Sequence, residues 1–318
     1  MKQLSQLLFI FNFYFNLQFY FNLYFQLSNI NFFLEINYKD SMNKETFVAY
    51  WGGYFNSPLT LDKIPDYVDV VILAFASPNI INGASIMITD FLCSRYSENT
   101  IISWVKQIQS RGQKVLMSIL DTPETHWNNL NIPQFAQSMK QIAIDKWGCD
   151  GIDIDAESGM PDNVYIDNFI ELVKEVRYAI GYNKILTYTC YTGTGGPDGQ
   201  ILTATINQID WLNLMAYFDS FLEMIDLYQD YATIAGNEIT IGVKAGMEFT
   251  DLDEVEELCK WEPKPYTFCI AIDKKNGEKE IGPPIVVDGY KKGIMLWTLN
   301  RDCPSFTQHP NWTWTEAI

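Results

Sequence analysis

The sequence predicts an α/β protein, a (β/α)8 barrel of the TIM type beginning near residue 46. Three observations carry that expectation. Eight short runs rich in β-branched, aromatic and aliphatic residues recur along 46–300, separated by amphipathic stretches with helix caps. Strands that alternate with helices imply parallel strands joined by right-handed crossovers. Eight such units in about 270 residues match the size of a closed barrel. An open doubly wound sheet is the alternative, but no G-x-G-x-x-G follows the first strand, and WGGYFN (51–56) is too short and lacks the third glycine.

Taken in order, the strand expectations are TFVAYWG (46–52), VDVVILAFA (68–76), KVLMSIL (114–120) and GIDIDAE (151–157). KILTYTCYT (184–192), IDWLNLMAYF (209–218), EITIGVKAG (238–246) and GIMLWTLN (293–300) follow. Between them, Ser97 to Gly112 carries Ile101, Ile102, Val105 and Ile108 on one helical face and ends in glycine. Asn131 to Gly148 opens with an N-cap residue and an early proline and again closes on glycine. Asp162 to Gly181 places Phe169, Leu172, Val173 and Val176 at helical spacing. Asp251 to Trp261 opens with acids that suit a helix N-terminus.

Residues 42–318 thus form the barrel domain, and 1–41 read differently. The run FIFNFYFNLQFYFNLYFQL carries no charge, yet Asn or Gln interrupts its apolar stretch every few residues, unlike a membrane-spanning helix. As a secretory leader it offers Lys2 and an apolar core, Leu7 to Phe11, with Leu27-Ser28-Asn29 as a poor cleavage site. It also reads as low-complexity sequence without a fold of its own, or as an upstream segment if translation starts at Met42. The first reading makes the protein extracellular and the last cytoplasmic.

The formal net charge of −17 and the lack of a basic run argue against a nucleic-acid or anionic-membrane partner, while a neutral polysaccharide fits. Two histidines, His126 and His309, exclude a His-rich metal site, and no G-x-S-x-G motif supports a Ser-His-Asp triad. The six cysteines form no C-x-x-C pair, so a zinc cluster is not expected. Cys149 and Cys190 read as small buried hydrophobes. Cys259 and Cys269 would be free to pair in a secreted protein. No metal and no cofactor is implied, and the chain is expected to act as a monomer.

Asp150 to Glu157 read DGIDIDAE. In an extended strand Asp153, Asp155 and Glu157 share one face, roughly 6–7 Å apart, and Ile152, Ile154 and Ala156 take the other. Each carboxylate disfavours ionisation of the next, which points to proton sharing between coupled acids. In a barrel the active site lies at the C-terminal strand ends, so Glu157 should project into the mouth, with Asp155 beneath it and Asp153 deeper. A calcium loop is the competing reading. Its spacing fails, since Ser158 and Val164 stand where Gly and Glu are needed.

DGIDIDAE resembles the D-G-x-D-x-D-x-E signature of family 18 glycoside hydrolases, and it falls on the fourth predicted strand as that family requires. Met215-Ala216-Tyr217 resembles the start of the family's M-x-Y-D motif on strand six. Trp297 resembles the tryptophan at the floor of the sugar subsite on strand eight. Tyr50 and Phe75 are similar to the aromatic residues lining the same pocket. The likeness spans 46 to about 302. The stretch 247–292 looks too short for the family's added α+β unit, so a simple single-barrel member is implied. The S-x-G-G of strand three reads Ser118-Ile119-Leu120-Asp121 here, the Asp of M-x-Y-D is Phe218 with Asp219 one place late, and Ala156 and Ser158 flank the last acid.

The resemblance implies a mechanism in which the substrate supplies its own nucleophile. Glu157 would be the general acid, Asp155 would orient the acetamido group, Asp153 would share a proton with Asp155, and Tyr217 would hold the acetamido group from the other side. Trp297, Tyr50, Phe75 and Met215 would bind the sugar. The implied function is cleavage of chitin or N-acetylglucosamine oligomers. The alternatives are an endo-β-N-acetylglucosaminidase acting on N-glycan cores and a non-catalytic chitin-binding lectin. Loss of the terminal Glu would mark the lectin, and Glu157 is present.

Overall fold

The computed structural model describes residues 45–79, 83–121, 127, 130–157, 163–190, 192–246, 249–273, 279–287 and 289–318. For 163–165, 266–273 and 279–287 it describes the backbone alone. The expectations for 1–41, His126, Ser158 and the Cys269 side chain lie outside these residues.

The strands are β1 (Thr46–Trp51), β2 (Val70–Pro78), β3 (Ile86–Ile88), β4 (Lys114–Leu120), β5 (Gly151–Asp155) and β6 (Ile185–Cys190). They continue as β7 (Trp211–Leu214), β8 (Ile239–Lys244), β9 (Tyr266–Asp273), β10 (Lys279–Val287) and β11 (Gly293–Trp297). Hydrogen bonding runs β1-β11-β8-β7-β6-β5-β4-β2, and a further β1–β2 ladder closes the ring. Every one of these ladders is parallel. The eight expected strands therefore form the expected closed barrel. The strand β3 adds to it as a short antiparallel flap on the end of β2.

Parallel strands covered by helices are buried on both faces, which is why β2 reads as the apolar run VVILAFASP and is buried along its whole length. The helix Glu98–Gln109 is capped by Ser97, whose Oγ accepts the Thr100 N–H at 3.2 Å, and it buries Ile101, Val105 and Ile108. Ile132–Met139 follows its N-cap Asn131, carries Pro133 in its first turn and continues into a π-helical segment, Lys140–Lys146. Leu252–Lys260 starts on a capping box of Asp251 and Glu254. Two longer helices go beyond the sequence reading, Pro197–Thr205 and Phe221–Ala235, besides the short Asp90–Cys93, Pro304–Thr307 and Thr313–Ala317. The second was legible, because Ser220 and Glu223 form a capping box in S-x-x-E spacing.

The segment between β8 and β11 is richer than its length suggested. Besides the Leu252–Lys260 helix it holds a hairpin, β9 against β10, that pairs only with itself. Two site strands are shorter than expected. The strand β5 ends at Asp155, and β7 ends at Leu214, so Glu157 and the Met215–Tyr217 tripeptide lie beyond their strand ends. After β7 the chain turns at once, with the Ala216 N–H on the Leu214 carbonyl at 2.9 Å and the Asp219 N–H on the Ala216 carbonyl at 3.0 Å.

The start of the acidic motif serves the fold. Asp150 Oδ2 accepts the Val115 N–H at 3.0 Å and the Gln109 amide at 2.9 Å, tying the foot of β5 to β4 and to the preceding helix. Gly151 follows because β5 and β6 pass close there. A Cβ on Gly151 would stand 2.3 Å from the Ile185 carbonyl oxygen, a backbone atom that has no way to step aside cheaply. Gly151→Ala is therefore expected to lower unfolding free energy by about 1–3 kcal/mol, the usual cost of overpacking. Chemical denaturation of the two proteins checks this.

Candidate active site

The site grows upward from a buried carboxylate. Asp153 is fully buried on the inner face of the barrel, and register sets its neighbours. The ladders place it beside Ser118 of β4 and Thr187 of β6. Ser118 Oγ donates to Oδ2 at 2.7 Å and the Tyr50 hydroxyl at 2.8 Å, while Thr187 Oγ1 donates to Oδ1 at 2.5 Å. Asn213 Nδ2 lies 3.3 Å from Oδ1. Thr189 Oγ1 lies 3.0 Å from Oδ1 and 2.7 Å from the Tyr50 hydroxyl, so its single proton serves one of the two. Asn213 is oriented in turn, its Oδ1 accepting from Thr240 Oγ1 at 2.8 Å and Trp211 Nε1 at 3.1 Å. Each hydrogen bond to a charged group contributes about 1.5–3 kcal/mol, so this set offsets the several kcal/mol that burying an ion costs. Burial, then the charges of Asp153 and Asp155, push the Tyr50 hydroxyl well above its ordinary pKa and keep it a donor.

One step up, Asp155 is 2 % exposed and meets a different environment. Its Oδ1 is buried and accepts no hydrogen bond from the protein. Burial, followed by the charges of Glu157, Asp153, Asp121 and Asp198, raises its pKa well above the usual carboxylate range. No hydrogen bond joins Asp153 and Asp155 directly in this structure, and the charge of Asp153 contributes to the raised pKa of Asp155. The oxygens of Asp153 are already taken by Ser118, Tyr50, Thr187, Thr189 and Asn213.

Glu157 stands at the rim, the one exposed member of the row. Its backbone N–H donates to Asp121 Oδ1 at 3.0 Å. Partial burial, then Asp121, raise its pKa, while Lys244 opposes them and does not prevail. A raised carboxyl holds its proton towards neutral pH, as a general acid must.

Above the row opens a cavity of about 200 Å³, lined by Tyr50, Tyr54, Phe75, Phe91, Leu120, Asp155, Glu157, Thr189, Met215, Tyr217, Met295 and Trp297. Seven of the eight residues singled out from the sequence meet there: Glu157, Asp155, Tyr217, Trp297, Tyr50, Phe75 and Met215. The eighth, Asp153, lies beneath the floor. Phe75 and Trp297 stack at 5.6 Å between ring centroids, and Tyr50 meets Trp297 edge-on at 5.4 Å. The peptide bonds Ala74–Phe75 and Trp297–Thr298 are cis. Tyr217 is 7 % exposed, and Lys244 Nζ lies 5.7 Å from its ring centroid. Phe218, where the motif has Asp, points out to solvent at 63 % exposure and does not line the cavity.

Tyr54, Phe91, Leu120, Thr189 and Met295 also line the cavity but escaped the sequence reading. Thr189 was within reach, since it shares strand parity with Thr187 and follows from the inner-face alternation of β6. Tyr54 and Phe91 come from connections after strand ends, where periodicity is silent. Among the described residues no group of three or more His, Cys, Asp or Glu is placed to hold a metal ion. Nor is any helix among them long and apolar enough to cross a membrane.

Comparison with known proteins fits this geometry. The sequence pattern of glycosyl hydrolases family 18 matches residues 46–252. A GH18 chitinase from Pseudoalteromonas aurantia superposes with a TM-score of 0.63 at 19% identity, covering 86% of this chain and 99% of that one. A family 18 chitinase from Crocus vernus gives 0.60 at 17% identity, over 86% and 97% of the two chains. An endo-β-N-acetylglucosaminidase from Cordyceps militaris gives 0.57 at 16% identity, over 88% and 90%. Likeness at these identities shows the barrel fold.

The crowding of acids has a consequence for stability. A carboxyl whose pKa is raised by folding binds its proton more tightly in the folded than in the unfolded chain. Its contribution is complete below the unfolded pKa and is lost as pH rises through the folded one. Asp155 is such a group. Asp155→Asn is expected to raise Tm by roughly 2–4 °C near neutral pH, the shift that about 1 kcal/mol gives in a domain of this size. The gain should vanish as pH falls below the ordinary carboxylate range. Thermal melts of both proteins across pH measure it.

Proposed function

The chain belongs to glycosyl hydrolases family 18, and from that premise we propose that it hydrolyses β-1,4 bonds in chitin or N-acetylglucosamine oligomers with retention of configuration. The observation that carries the reading is the contrast between two stacked carboxylates. Asp153 is saturated with donors, whereas Asp155 keeps a buried oxygen without one, directly at the cavity. A sugar bearing an acetamido group brings the N–H that this oxygen lacks.

In the proposed reaction Glu157 gives its proton to the glycosidic oxygen as the bond to the anomeric carbon breaks. The acetamido oxygen of the same sugar attacks that carbon, forming an oxazolinium ion, and water then opens it while Glu157 takes the proton back. Asp155 accepts the acetamido N–H, a contact that favours its ionised form over the protonated form that burial favours, and so offsets the positive charge that develops. Tyr217 holds the acetamido group from the opposite wall, and Trp297 packs beneath the sugar ring, with Tyr50, Phe75 and Met215 completing the pocket. Asp153 acts through Asp155 from the layer below, sharing a proton with it in the proposed reaction.

Leu120 favours a second reading of the substrate. It places a branched side chain in the wall where the family motif has glycine, and the cavity need not suit an unbranched chitin chain. Incubating the protein with chitin oligomers and, separately, with a high-mannose glycopeptide distinguishes the two. Cleavage of chitin oligomers is expected, with a loss of at least about a hundredfold in kcat for Glu157→Gln, the low end of what a general acid contributes. Cleavage of the glycopeptide alone would transfer the reading to an endo-β-N-acetylglucosaminidase. Binding of chitin oligomers without cleavage would make the protein a lectin. Activity that survives the substitution would remove Glu157 from the mechanism.

A further inference from the structure

One acid in the site has no part in the roles above. Asp121 follows β4, is 4 % exposed, and accepts the Glu157 backbone N–H through Oδ1 at 3.0 Å. The β4–β5 ladder pairs Leu120 with Asp155, so Asp121 sits one step beyond the sheet, where the chain carrying Glu157 leaves it. Glycine, which the family motif has at this place, brings neither an acceptor side chain nor a charge.

We propose that Asp121 is a positioning residue for the general acid: its carboxylate anchors the Glu157 backbone to β4, and its negative charge favours the protonated form of the Glu157 side chain. Like charges in a partly desolvated mouth disfavour joint ionisation. The charged groups acting on Glu157 are Asp121 from the end of β4 and Lys244 from the end of β8, and Glu157 itself acts on Asp155 of β5. Asp153 and Asp198 act in turn on Asp155. Lys244, whose Nζ lies 3.6 Å from the Phe249 ring centroid, is the cation that opposes Asp121 at Glu157. Asp121 thus supplies a charge that glycine at this position would leave out.

The inference rests on Glu157 being the acid, but its test does not need turnover. The full chain labelled with ¹³C at the glutamate carboxyls is titrated by NMR, with the Glu157 signal assigned by its loss in Glu157→Gln. Asp121→Asn keeps an acceptor oxygen for the N–H and removes the charge. Its Glu157 midpoint is expected at lower pH than in the wild type. In turnover, the alkaline limb of kcat/KM should move the same way, because the acid must be protonated to act. Asp121→Gly should show the same displaced midpoint and lose on the order of a further tenfold in kcat at every pH, through the loosened acid. A Glu157 midpoint unmoved or raised in folded Asp121→Asn overturns the proposal. So does a lower Tm and kcat with no movement of the midpoint, which would mark a structural role. If Asp121→Asn does not fold, Asp121→Gly carries the same titration. A wild type that hydrolyses neither substrate would sink the proposed function and leave the midpoints to judge Asp121.

Discussion

The structure depends on one buried carboxylate and the register that satisfies it. Asp153 sits at the centre of the barrel and draws donors from β1, β4, β6 and β7. A slip of one residue in any of these strands would turn its donor to the opposite face and leave a buried charge unpaired. The polar interior therefore specifies the alignment of the strands more sharply than the Val, Ile and Leu residues around it, which tolerate exchange. With that alignment fixed, Asp155 has only one way to face, into the cavity, and Glu157 follows at the rim.

Above this base the electrostatics reverse. Asp155, Glu157 and Asp121 crowd together, with Lys244 opposing the crowding at Glu157, and burial raises the pKa of both Asp155 and Glu157. Such a group of acids is a poor way to stabilise a fold, and it is held in place by the rigid strands beneath. The same crowding suits a reaction that needs a protonated acid beside an oriented acceptor. The aromatic wall adds apolar area around the acids. Stability and chemistry are thus separated by one layer: the lower acid is satisfied by the protein, and the upper ones are left for a ligand.

Much of this was readable from the sequence, for identifiable reasons. The eight strands and their closure follow from apolar runs alternating with capped helices, and the acid row follows from strand parity. Trp297, Tyr217, Tyr50 and Phe75 came through resemblance, since nothing in an isolated aromatic residue separates a pocket wall from a core. What stayed hidden depends on register or on loops. Thr187, Thr189 and Asn213 look like ordinary polar strand residues until the ladders bring them against Asp153. Asp121 looked like a mere departure from a motif, and its bond to the Glu157 N–H appears only when β4 and β5 are aligned. The hydroxyls of Tyr50, Ser118 and Thr187 that surround Asp153 likewise become visible only in the fold.

The central claim is that a carboxyl at Glu157 and an acceptor at Asp155 let a bound acetamido sugar act as its own nucleophile. The anomeric form of the sugar first released from a chitin oligomer, followed by proton NMR before mutarotation, tests it most directly. The account predicts the β anomer, because two displacements at the anomeric carbon restore its configuration. Initial release of the α anomer would mean direct attack by water and would contradict it.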